Sequence, residues 1–187
     1  MVDIELDEVR RLTRAEYDEM CERGMFDDER VELLRGLLVK KMSEGFEHFD
    51  LCWRLQNFLV RKVPDNYAVS MNQPYCATDD SEPEPDVYIF DPSITPNKKP
   101  TEAKLVIEIA VSSLRRDRGI KQGIYAEARV PTYWIIDVMA RKTEVYTQPS
   151  DDGYRVCTIV PFEEPLTLGF EPAVELTLTQ FEPALVG

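Results

Sequence analysis

The segment Ala103-Lys-Leu-Val-Ile-Glu-Ile-Ala-Val111 constrains the fold more than any other part of the chain. In an extended backbone Val106, Glu108 and Ala110 share one face, and Leu105, Ile107, Ile109 and Val111 share the other. Both rows are apolar apart from Glu108. A strand of this kind belongs at the centre of a sheet, with other layers covering both of its faces. The single carboxylate in it then becomes the residue that needs an explanation.

The flanking sequence supplies the layers. Thr13 followed by Glu16 is a capping box, which predicts a helix to about Arg23, stopped by Gly24. Arg30 to Met42 reads as two short strands around Arg35-Gly36, a hairpin. A second helix is predicted from His48 to about Lys62. There Phe49, Cys52, Trp53, Leu59, Val60 and Val63 fall on helical spacing, and Pro64 closes it. Tyr67 to Tyr75 is extended. Ser81-Glu-Pro-Glu-Pro-Asp86 leads into a strand at Val87-Tyr-Ile-Phe90, and its two prolines keep that strand from starting earlier. A polar loop spans Pro92 to Pro100. A helix follows the central strand from about Arg115 to Ala128, closed by Pro131. Tyr133–Val138 and Thr143–Tyr146 are further strands, and turn residues near Asp151-Asp152-Gly153 and Gly169 mark edge strands in the tail. The expectation is a single mixed α/β (α+β) domain over residues 1–187. It has a mixed central sheet flanked by helices and an N-terminal helix and hairpin, with Tyr133-Trp134 in the core.

Bulk properties narrow the function classes. No apolar run approaches the roughly 20 residues that span a bilayer. The acidic N-terminus, Met-Val-Asp-Ile-Glu-Leu-Asp-Glu, lacks the basic and apolar regions of a secretory leader. Cys21, Cys52, Cys76 and Cys157 are scattered with no C-x-x-C pair, so zinc fingers and disulfide scaffolds are poor readings. Buried free thiols in a reducing cytoplasm account for them. The net charge of −13 disfavours a simple phosphate-gripping protein and implies weak nucleic-acid affinity without metal or a partner.

Glu108 has two readings. A carboxylate buried in a strand without a partner costs several kcal/mol or takes up a proton, so a cation is expected beside it. That cation is either an Arg or Lys in a structural ion pair or a bound metal. Asp86 weighs toward metal. It stands at the start of a strand that can pair with the Glu108 strand, which could bring the two carboxylates together. Oxygen ligands from neighbouring strands suit Mg²⁺ or Mn²⁺. Glu82 and Glu84 read as a solvated acidic loop. Asp117, Lys121 and Tyr125 recur at four-residue spacing on one face of the following helix. Asp117 and Lys121 are either a surface pair or a partly buried one, with Lys121 turned back toward the strand carboxylates.

Pro85-Asp86 followed by Glu108 in an apolar strand resembles the PD-(D/E)XK nuclease signature. Arg11-Leu-Thr-Arg-Ala-Glu-Tyr17, Arg30-Val-Glu-Leu-Leu-Arg-Gly36, Ser81 to Asp86, Leu105-Val-Ile-Glu-Ile109, Asp117 with Lys121, and Pro131-Thr-Tyr-Trp-Ile-Ile-Asp137 follow in that order. Together, over nearly the whole chain, they resemble the Uma-type (Uma two) family of restriction endonucleases. The resemblance implies a restriction-endonuclease-like fold, a Mg²⁺ (or Mn²⁺) requirement, a homodimer and a nucleic-acid substrate, DNA first. It makes Asp86 and Glu108 metal ligands and adds Glu32, from the first hairpin, to the same metal. The superfamily's lysine two residues after the glutamate is here Ala110, so its role passes to Lys121. Arg35 stands where the family hairpin often has Asp, and Val111-Ser-Ser-Leu replaces a Ser-Pro-Ser type of segment. The family often carries a histidine near His48; the bland alternative, a partly exposed histidine at a helix start, is slightly favoured for it.

The expected activity is therefore phosphodiester hydrolysis by a metal-activated water, with Lys121 positioning the water or stabilising charge. A non-catalytic dimeric module that keeps the fold for binding is the alternative, favoured by the acidic balance and by Ala110. A small-molecule phosphoesterase is a weaker one.

Overall fold

The computed structural model describes residues 9–41 and 45–182. The acidic N-terminal stretch examined for a leader, and Met42 at the end of the hairpin segment, lie outside them. In chain order the elements are α1 (Arg14–Glu22), β1 (Val31–Leu34), β2 (Leu37–Lys40), α2 (Phe46–Lys62), β3 (Ala68–Met71), β4 (Val87–Phe90) and β5 (Leu105–Ala110). These are followed by α3 (Leu114–Arg116), a π-helical turn (Asp117–Lys121), α4 (Gln122–Glu127), β6 (Thr132–Asp137), β7 (Lys142–Ser150), β8 (Gly153–Pro161), β9 (Leu166–Leu168), β10 (Val174–Leu176) and a 3₁₀ turn (Leu178–Phe181).

Six strands form one sheet in the order β3-β4-β5-β6-β7-β8. Only β5 and β6 run parallel; they are the pair joined by a helical crossover, as parallel neighbours require. The predicted pairing of β4 with β5 is present and antiparallel, with Val87 opposite Ile107. Every residue of β5 is buried. Leu105, Ile107 and Ile109 pack with Leu55 and Leu59 of α2 and with Phe162, Leu166, Leu176 and Phe181 from the tail. Val106 and Ala110 pack on the other face with Tyr88, Tyr125 and Tyr133. The two apolar rows of the sequence thus serve two separate core layers, with Tyr133 and Trp134 buried on opposite sides.

Several boundaries differ from expectation. β5 ends at Ala110 and leaves Val111 exposed. β9 and β10 form their own two-stranded sheet and cap one face instead of extending the main sheet. On α2 the buried positions are His48, Cys52, Leu55 and Leu59, whereas Phe46, Phe49, Trp53 and Val60 are exposed. Helical spacing identified the helix but not which of two apolar stripes faces the core. Cys52 and Cys76 are buried as expected, but Cys21 and Cys157 are exposed. No described helix is long and apolar enough to cross a membrane.

The capping box holds α1: Thr13 Oγ1 accepts from Glu16 N, and the Glu16 side chain accepts from Thr13 N at 2.9 Å. The hairpin β1–β2 turns through Arg35 and Gly36, both at positive φ, the geometry of a tight two-residue hairpin turn. This turn is also a packing point. Gly36 O accepts from Leu12 N at 2.9 Å, and Gly36 N donates to Asp80 O at 2.7 Å. A Cβ at Gly36 would sit 2.9 Å from Leu12 O and against Arg11 Cβ. The substitution Gly36→Ala is therefore expected to cost about 2 kcal/mol, from φ strain plus the clash. Urea unfolding of both proteins measures it, and an unchanged midpoint would show that the turn bears no such constraint.

Candidate metal and nuclease site

The site forms where β4, β5, the hairpin and the π-turn meet. Continuing the β4–β5 register by one residue brings Asp86 abreast of Glu108. Both are buried, and both line a cavity with Glu32, Lys41, His48, Arg116, Asp117 and Lys121. The four expected site residues, Asp86, Glu108, Lys121 and Glu32, are thus brought to one place.

Each carboxylate is tied down by specific donors. Asp86 Oδ2 accepts from Ile109 N at 2.7 Å and lies 3.0 Å from His48 Nε2. Glu108 Oε1 accepts from Lys121 Nζ at 2.8 Å and from the Tyr125 hydroxyl at 2.7 Å. Glu32 Oε2 lies 3.3 Å from Lys121 Nζ and accepts from Glu84 N at 3.2 Å, while its Oε1 is 3.3 Å from Arg116 Nη1. Among the described residues no hydrogen-bond donor is paired with Asp86 Oδ1 or Glu108 Oε2.

The electrostatics follow from burial. Burial pushes Glu108 up to about 8, against the pull of Lys121 and with added repulsion from Asp86, Asp117 and Glu32. Asp117 is pushed up to about 6, again mainly by burial. Burial also opposes the charged form of Asp86, but the His48 hydrogen bond and the charges of His48, Lys121 and Lys41 outweigh it and hold Asp86 below the ordinary carboxylate value. Burial works against the Lys121 ammonium too, yet the surrounding carboxylates raise it above the usual lysine range, so it stays a cation. Four carboxylates thus share a buried space with three fixed cations and one histidine. The oxygen donors of Asp86, Glu108 and Glu32 are of the type a hard divalent ion such as Mg²⁺ or Mn²⁺ takes, once it displaces the Glu108 proton.

Two expectations change. His48 is buried, not partly exposed, because the first turn of α2 packs over Asp86. The Glu82–Glu84 segment is not a solvated loop. Its backbone pairs with β1 through Leu33 and Glu82, so Glu82 is buried, receiving Lys99 Nζ at 2.6 Å, and Glu84 is half-buried within 3.2 Å of Arg30. Of the two readings of Asp117 and Lys121, the buried one holds. The five-residue turn Asp117–Lys121 is π-helical, and both of its end residues face inward. Lys41 and Arg116 also line the cavity; nothing in their local sequence sets them apart from surface cations. Tyr125 was flagged only by its spacing. Donor atoms lying within 4.8 Å of one another, close enough to share an ion, belong among the described residues to His48, Cys52 and Asp86 rather than to the three carboxylates.

The fold is shared with a solved structure. Among solved structures the chain is similar to a "putative nuclease belonging to DUF820" from Anabaena variabilis, with a TM-score of 0.65 and 16% identity, over 82% of this chain and 90% of that one. The family model Uma2, described as "Putative restriction endonuclease", matches residues 14–179, and the chain belongs to that family. No curated protein matches it.

The raised Glu108 carboxyl has a consequence for the metal-free protein. Its folded value of about 8 lies above the ordinary 4.5. The folded state therefore holds its proton more tightly. That stabilisation is complete below about pH 4.5 and is lost as pH rises through about 8. Unfolding measured across this window in the presence of a chelator should show wild type losing stability faster with rising pH than Glu108→Gln. Parallel curves would mean that Glu108 is ionised throughout.

Proposed function

We propose that this chain is a single-domain, divalent-metal-dependent endonuclease of the PD-(D/E)XK type, acting on DNA as a homodimer. The observation that supports the reading is the convergence of the buried residues Asp86, Glu108 and Lys121 on one cavity, in a chain of the Uma2 family. Asp86 and Glu108 would hold the ion through the oxygens left without donors. Glu32 is the third carboxylate of the set; its Oε1 is held by the longer Arg116 contact of 3.3 Å.

A divalent cation held there would neutralise charge on the scissile phosphodiester and make a nearby water more acidic. The protein's own groups do the rest. Lys121, held as a cation, does not accept the water's proton; it donates toward the phosphate oxygens and stabilises the charge that builds on them. Tyr125 and Lys121 fix the Glu108 carboxylate, and Ile109 N with His48 fixes that of Asp86, so little reorganisation is needed when substrate arrives. Arg116 and Lys41, at the cavity wall, supply positive charge for the strand backbone. Water oxygen adds to phosphorus as the bond to the leaving ester oxygen breaks; the water gives up a proton to solvent and the leaving oxygen takes one up from solvent, giving one phosphate end and one hydroxyl end.

The test is a cleavage assay on supercoiled, linear and single-stranded DNA and on RNA, with Mg²⁺ and with Mn²⁺. Asp86→Ala should abolish metal-dependent cleavage, and Lys121→Ala should lower kcat by about 10²- to 10³-fold, the usual cost of losing one transition-state donor. Both should keep the wild-type circular dichroism spectrum. Full activity in either variant would remove that residue from the site. No cleavage of any substrate, with no calorimetric Mn²⁺ binding, would favour the non-catalytic binding module that the chain's −13 charge also suggests.

A further inference from the structure

The nuclease reading leaves Cys52 unused, yet its sulfur sits against the ring of His48, a residue of the cavity wall. His48 and Cys52 are four residues apart on α2 and therefore share one helical face. That face is turned inward: both side chains, and that of Asp86, are buried. Cys52 Sγ lies 3.7 Å from His48 Nδ1 and 4.0 Å from His48 Nε2, and the same Nε2 lies 3.0 Å from Asp86 Oδ2. A ligand atom from each of the three falls within 4.8 Å of the other two.

Two of the three pairs are near the spacing that one small ion needs, and the third, Cys52 with Asp86, lies within 4.8 Å. Zinc bonds of about 2.0–2.3 Å in tetrahedral geometry set the ligand atoms about 3.3–3.6 Å apart. Shifts of a few tenths of an ångström would bring His48 and Cys52 to that spacing. The donor types are also selective. Imidazole and thiolate suit zinc and its neighbours in the transition series, whereas Mg²⁺ takes oxygen ligands. His48 and Asp86 line the cavity, and Cys52, outside that lining, sits against the His48 ring. The open side of the cavity leaves a fourth position for solvent.

We propose that His48, Cys52 and Asp86 form a binding site for a thiophilic divalent ion, zinc foremost, that shares Asp86 with the hard-ion site and so makes zinc an inhibitor rather than a cofactor. The inhibitory part rests on the nuclease reading above; the binding part does not. Binding converts the Cys52 thiol to a thiolate, and its proton leaves to solvent. Asp86, once committed to zinc beside His48 and Cys52, no longer serves an ion shared with Glu108.

Cobalt(II) is the probe, because a thiolate bound to it gives a near-ultraviolet charge-transfer band that colourless zinc abolishes on displacing it. Titration of the full chain with Co²⁺ should develop this band and visible bands of tetrahedral intensity, and one equivalent of Zn²⁺ should remove them. The Cys21→Ser/Cys157→Ser protein should keep the band. Cys52→Ser and Cys52→Ala should both lose it, with thermal melts run on each to show that it is folded. A band that never appears, or one that survives in a folded Cys52 variant, overturns the site. The regulatory half is read separately from Zn²⁺ titrations at saturating Mg²⁺, each protein normalised to its own zinc-free rate. The half-inhibitory concentration should rise at least tenfold in Cys52→Ser. A Cys52-dependent cobalt band with equal zinc sensitivity in both proteins keeps the site and overturns its role as an inhibitor site. If no substrate is cleaved at all, the nuclease reading falls while the cobalt result still decides whether the ion binds.

Discussion

Glu108 sits in the middle of a strand whose every residue is buried, between neighbours that offer it only hydrocarbon along the strand. A charge in such a place must be met by donors from outside the sheet, and much of the architecture around β5 follows from meeting it. Lys121 and the Tyr125 hydroxyl come down from the crossover helix to one oxygen. Glu32 enters from the hairpin and contacts the same lysine. Asp86 arrives from the adjacent strand and takes its donors from Ile109 N and His48. Buried ion pairs rarely add net stability over well-packed apolar residues. The cluster is better understood through the site it forms than through any gain in folding energy.

How much of this was readable before any coordinates depended on whether a feature is local. The capping box of Thr13 and Glu16, the Arg35-Gly36 turn and the two apolar rows around Glu108 are each written in a few adjacent residues, and each forms as read except at Val111, which lies beyond the strand and is exposed. Asp86 was legible because β4 and β5 are neighbours in sequence as well as in space. The Glu82–Glu84 segment was misread because its partner, β1, lies about fifty residues away; composition showed acids between prolines but not the strand that covers them. His48 was undervalued for the same reason, since only tertiary packing sets it against Asp86. On α2 the two apolar stripes look alike in periodicity, and the sheet chose the one carrying His48, Cys52, Leu55 and Leu59.

The acidic balance of the chain and the nature of the site are compatible once charge is considered locally. An excess of 13 negative charges weakens non-specific attraction to a polyanion. The cavity, however, gathers Lys41, Arg116 and Lys121 around its carboxylates. Such a protein would hold nucleic acid mainly where an ion and these cations act together, so its encounter with substrate would depend strongly on salt and on metal occupancy.

The π-helical turn between α3 and α4 carries a consequence for how relatives of this chain are recognised. A turn of this kind holds one more residue than an α-helical turn would, and it rotates everything after it relative to everything before it. Here Asp117 and Lys121, at its two ends, both face inward. The lysine that meets Glu108 is therefore placed by helix phasing, not by a set count of residues from the glutamate. Patterns written as intervals along the chain would miss it, whereas a template of three atoms in space (two carboxylate carbons and one amine nitrogen) would find it whichever element supplied the amine.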